Sequence, residues 1–179
     1  MQIQNLVTQH GQHLQSALLI WYQTMSAKDL SLLVCVLVFH RVVARLGMWP
    51  YAIFTLIGTI AHELGHFLTA KVLFAKPSFP SLIPKKTESG WRLGSVAFQP
   101  NLFKNIPISL APFLLAPLGL WWSIHYMHTA TGGWYLIHAW IAGTVIMASS
   151  PSSQDWKIAA PSLVIIAVVV AAYCWKSFS

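Results

Sequence analysis

Charge is what this sequence lacks most. Only 8% of its 179 residues are charged while 56% are hydrophobic, and mean hydropathy is +0.60. Soluble domains carry about a quarter charged residues, so this chain cannot clothe a water-facing surface, and the composition excludes a soluble globular domain, a disordered chain and a collagen-like one. Cysteine is nearly missing too. Cys35 and Cys174 both sit in apolar runs, which excludes a disulfide framework and a cysteine-based structural zinc site. Acids are the scarcest charged residues: Asp29, Glu63, Glu88 and Asp155 are the whole supply, so chemistry that needs a carboxylate must draw on these four.

Basic residues are less rare. Eleven Lys and Arg give a net charge of +7, and on so apolar a chain this records membrane orientation rather than a nucleic-acid partner. The chain divides into an N-terminal amphipathic segment, residues 1–27, and a membrane-embedded domain, residues 28–179. The first segment has no charged side chain and no basic stretch before an apolar core, so it does not read as a secretory signal. Its apolar residues recur at helical spacing, which predicts a helix lying at the interface or packing against the domain.

The expected fold is an all-α polytopic membrane protein with about five transmembrane helices, at roughly 30–48, 49–75, 106–127, 134–150 and 156–175. A Ser-rich turn around Pro151 separates the last two. The polar segment from Lys71 to Lys104 holds six basic residues and is predicted to face the cytoplasm. Alternation over 91–98 predicts a strand, pairing with 79–83 as a small β-hairpin. Threading the spans from this loop puts Lys28 and Lys157 on its side and Arg41, Arg45 and Lys176 opposite.

The second span contains Ala61-His-Glu-Leu-Gly-His66. Residues four apart share a helix face, so His62 and His66 can offer imidazole nitrogens to one metal, with Glu63 about 100° round beside a metal-bound water. Ionisable residues at that depth are costly and point to function, although core histidines with a neutral structural acid would give the same letters. Thr55, Thr59, His62, His66 and Thr69 form one polar stripe, predicted to face the bundle interior. A catalytic zinc takes three protein ligands. Asp29 starts the first span, Glu88 lies in the basic loop, and Asp155 sits at the cytoplasmic end of the fifth span, which makes Asp155 the third-ligand candidate. Capping the last helix among Ser152 and Ser153 is its competing role.

From about Pro50 to Lys157 the chain resembles the site-2 protease family of intramembrane zinc metalloproteases, in particular small members without a PDZ or CBS domain. The resemblance rests on His62-Glu-Leu-Gly-His66 within a span, a following hairpin-bearing loop, and Asp155 at a later span. It implies one zinc ion held by His62, His66 and Asp155, Glu63 as the catalytic base, and a membrane protein as substrate. The chain departs from the family around the aspartate, which lacks the usual Asn and Gly, and at Ala111-Pro-Phe-Leu-Leu115, where the family carries Gly-Pro-x-x-Asn. Asn101 and Asn105 are the candidates to replace that asparagine, with loop solvation as their other role. His125, His128 and His138 read as interfacial histidines. The expected location is multi-pass in a bacterial cytoplasmic membrane. Two rival functions stay open: a catalytically silent relative acting as a membrane binding or regulatory protein, and a metal or proton transporter.

Overall fold

The computed structural model describes residues 15–16, 19–20, 23–87, 90–99 and 101–178. Most of the expected amphipathic segment 1–27, as well as Glu88, lies outside the described residues. The domain is mostly helical: α1 (Ala27–Arg45), α2 (Met48–Phe54), α3 (Leu56–Val72), α4 (Leu102–Leu110), α5 (Leu115–Trp122), α6 (Gly132–Ala148) and α7 (Ser153–Phe178). Short strands β1 (Lys85–Thr87) and β2 (Gly90–Arg92) lie between α3 and α4. A 3₁₀ turn (Ala111–Leu114) joins α4 to α5, and a π-helical turn (Ser123–Met127) follows α5.

Local chemistry sets most boundaries. Ser26 starts α1 with a capping box: its Oγ accepts from the Asp29 N–H at 3.2 Å, and Asp29 Oδ2 accepts from the Ser26 N–H at 2.9 Å. Asn101 caps α4 in the same spirit, accepting from the Phe103 N–H at 3.1 Å while its own N–H donates to Asn105 Oδ1 at 2.9 Å. Both asparagines are therefore helix-end residues. Pro112 has no N–H to return to the Ile108 carbonyl, so the helix tightens into the 3₁₀ turn, with Ala111 N–H bonding Ile108 instead.

Helix directions correct two sequence expectations. Asp29 of α1 bonds Tyr135 of α6, and further along, Val36 lies against Gly143; α1 therefore runs parallel to α6. On α3, Gly58 lies against Thr144, and further along, His62 bonds the Ala148 carbonyl; α3 is parallel to α6 as well. Two successive parallel helices need a return, which α2 supplies after a turn at Gly47, whose φ of 114° suits a residue without Cβ. His40 meets Tyr51 and Phe39 meets Phe54 across that turn. The run expected as one span over 49–75 is thus broken at Thr55. Lys28 is also misplaced by simple threading: it lies at the α5–α6 end, with its Nζ 4.7 Å from the Tyr135 ring centroid. Arg41 and Arg45, at the other end of α1, lie at the same end of the bundle as the basic loop.

The hairpin is present with a shifted core. β1 and β2 pair antiparallel, Lys85 with Arg92 and Thr87 with Gly90. The expected contact between 79–83 and 91–98 survives as an isolated bridge between Ser81 and Ser95.

Met25, Leu33, Met127, Tyr135, Ala139 and Ala142 form the main buried cluster, between α1 and α6. Outside, the pattern inverts: Val164, Val168, Val169, Tyr173 and Trp175 of α7 are exposed. Among the described residues two helical stretches are long and apolar enough to cross a membrane, Leu102–Met127 and Gly132–Lys176.

Candidate metal centre

His62 and His66 stand one turn apart on α3 with ring centroids 4.7 Å apart. Each ring is fixed from behind. His62 Nδ1 lies 2.7 Å from the Ala148 carbonyl oxygen and His66 Nδ1 lies 2.7 Å from that of Ile108. Both carbonyls sit at helix ends, where backbone acceptors lack their usual helical donors: Ala148 closes α6 before Pro151, and Ile108 precedes Pro112.

Asp155, in the first turn of α7, completes the group. His62 Nε2 lies 3.4 Å from Oδ2 and His66 Nε2 lies 3.2 Å from Oδ1. The aspartate also belongs to a capping box, since the Ser152 N–H donates to Oδ2 at 2.6 Å and the Asp155 N–H to Ser152 Oγ at 3.2 Å. The two roles considered for Asp155 are thus compatible, and the cap aims the carboxylate. One donor atom from each of His62, His66 and Asp155 falls within 4.8 Å of the others, so the group could hold a metal ion.

The hydrogen-bond pattern tests that fit. A carbonyl oxygen only accepts, so both Nδ1 atoms carry hydrogen, and each neutral ring is left with a lone pair on Nε2. The two Nε2 atoms are 3.1 Å apart and face a carboxylate. Three electron-rich atoms converging in a largely buried site repel one another unless a proton or metal cation lies among them. Donors about 2.0–2.2 Å from one tetrahedral ion are separated by about 3.3–3.6 Å; here the two Nε2 atoms are 3.1 Å apart, and each reaches a different Asp155 oxygen, at 3.4 and 3.2 Å. Two imidazoles and a carboxylate form a donor set of the kind that holds a divalent transition-metal ion.

Glu63 borders the same cavity of about 470 Å³, as do Arg92 and Gly94 from the hairpin side. Gly94 lets the loop close over the glutamate: a Cβ there would stand 2.6 Å from Glu63 Oε1. The predicted polar stripe is present in part, since Thr55, Thr59, His62 and His66 line the cavity. Other candidates lie elsewhere. Leu115 is buried. His125 stacks on Trp121, and His138 on Tyr126. His128, exposed as an interfacial residue can be, pairs with Asp29 at 2.8 Å.

Sequence reasoning missed the carbonyls behind the histidines and the closeness of Gly94 to Glu63. Pro112 and Pro151 were the available signals for the former, because a proline near a helix end removes the N–H that would otherwise occupy a nearby carbonyl. No family model matches the chain, and no curated protein or solved structure matches it either.

Proposed function

We propose that this protein is an intramembrane zinc metalloprotease of the site-2 type, which hydrolyses a peptide bond in or near a transmembrane segment of another membrane protein. The observation that carries the reading is the convergence of the His62 and His66 Nε2 lone pairs with Asp155, in a cavity shared with Glu63 and within a bundle whose outer surface is apolar.

Zinc bound there would supply the Lewis acidity that polarises the scissile carbonyl and makes water a nucleophile near neutral pH. His62, His66 and Asp155 would hold it. Glu63 takes the proton of the attacking water and later passes it to the leaving amine. An extended substrate would reach these groups alongside the 91–96 backbone, which lines the cavity between the hairpin and Glu63. The substrate helix unwinds locally to do so.

In this reading the domain crosses the membrane several times. Arg41, Arg45, Lys157 and the six basic residues of the 71–104 segment gather at the site end, which then faces the cytoplasm. The reorientation of α1 strengthens this assignment, because it moves two arginines to the basic side in exchange for Lys28. The test is cleavage of a transmembrane substrate in liposomes. A chelator should abolish cleavage and added zinc should restore it; cleavage that persists in the fully demetallated protein contradicts the proposal.

A further inference from the structure

The cavity does not end at the metal-binding group. Its wall also includes Thr59 of α3, Thr55 at the α2–α3 break, Tyr51 of α2, His40 of α1 and Thr144 of α6. These groups neither belong to the donor set nor take part in proton transfer. Thr55 Oγ1 donates to the Tyr51 carbonyl at 2.8 Å and Thr144 Oγ1 to the Trp140 carbonyl at 2.9 Å, so both hydroxyls turn lone pairs to any further partner. Tyr51 Oη and His40 Nε2 are 3.1 Å apart. One hydrogen joins that pair, and a second, on the hydroxyl or the ring, remains for donation. None of these five side chains carries a formal charge with His40 neutral, and together they offer acceptors at Thr55 and Thr144 and a donor at the Tyr51–His40 pair. A neutral group that donates and accepts at once fits that wall, and the carboxamide does so with separate atoms, its NH2 for the threonine oxygens and its C=O for the remaining hydrogen.

We propose that this chamber is a specificity subsite for an asparagine or glutamine side chain of the substrate, close to the scissile bond; the assignment rests on the proteolytic reading above. The test uses the full-length protein in micelles, a transmembrane peptide whose cleavage site is mapped by mass spectrometry, and derivatives with asparagine at each of the four positions on either side. The wild type should cleave one derivative about tenfold faster in kcat/KM than the leucine parent, as one or two added hydrogen bonds allow. Tyr51→Phe and Thr144→Val should each reduce that gain below about threefold at unchanged zinc content. No gain at any position, or a gain that survives in both variants, overturns the subsite. Binding of the same peptides to the Glu63→Gln protein, read by fluorescence anisotropy, is independent of turnover. A binding preference for asparagine without any cleavage by the wild type supports the subsite and overturns the proteolytic reading; equal affinity for all peptides overturns the subsite alone.

Discussion

Two Ser-x-x-Asp capping boxes stand at opposite ends of this bundle and meet different fates. Ser26–Asp29 starts α1 and Ser152–Asp155 starts α7, about 20 Å apart along α6. Around Asp29 the neighbours are donors: Tyr135 Oη gives a hydrogen to Oδ1 at 2.8 Å, while Ser26 Oγ and His128 Nδ1 reach Oδ2 at 2.7 and 2.8 Å. Both oxygens are satisfied, and the carboxylate ties α1 to α6. Around Asp155 the nearest side-chain nitrogens are the Nε2 atoms of imidazoles whose hydrogens are committed to Ala148 and Ile108. The same cap therefore makes a structural clasp in one place and an electron-rich cluster in the other. What surrounds the aspartate decides, and that depends on long-range packing rather than on the four-residue motif.

The largest contrast concerns chemistry. Glu63→Gln should retain zinc and fold but lower kcat by about 10²–10⁴-fold, the usual contribution of a positioned proton acceptor; Tyr135→Phe at the other end should leave kcat unchanged. Kinetics on zinc-loaded protein checks both, and a Glu63→Gln enzyme at wild-type rate contradicts the assigned base.

A smaller effect is expected behind the histidines. Pro112→Ala restores an N–H that competes for the Ile108 carbonyl, loosening the His66 ring. Outer partners of metal-binding histidines are typically worth 10–100-fold in affinity, so competition for one carbonyl should weaken zinc binding about tenfold. Zinc titration against a competing chelator measures this, and an unchanged affinity removes the proposed role of Pro112.

The smallest change should come from the clasp. Asp29→Asn keeps the shape but loses charge-assisted hydrogen bonds, which should cost about 1–3 kcal/mol of stability and leave zinc binding untouched. Thermal unfolding and metal content measured on one sample separate the two effects.

The legible parts of the site were those encoded locally or by scarcity. His62, Glu63 and His66 follow from a five-residue spacing, and Asp155 stood out because only four carboxylates exist. The helical class and the hairpin loop were readable from hydropathy and alternation. The direction of α1 was not, because it depends on Asp29 meeting His128 and Tyr135, both roughly a hundred residues away. The break at Thr55 was also hidden: threonine is no strong helix stop, and the apolar pattern continues on both sides.

The decisive comparison is the metal content of three purified proteins, wild type, Asp29→Ala and Asp155→Ala, each equilibrated with zinc and measured by mass spectrometry of the metal. The wild type and folded Asp29→Ala should each hold about one zinc per chain, and Asp155→Ala should lose the ion. Full zinc in Asp155→Ala, or a wild type that binds none, contradicts the assigned metal centre.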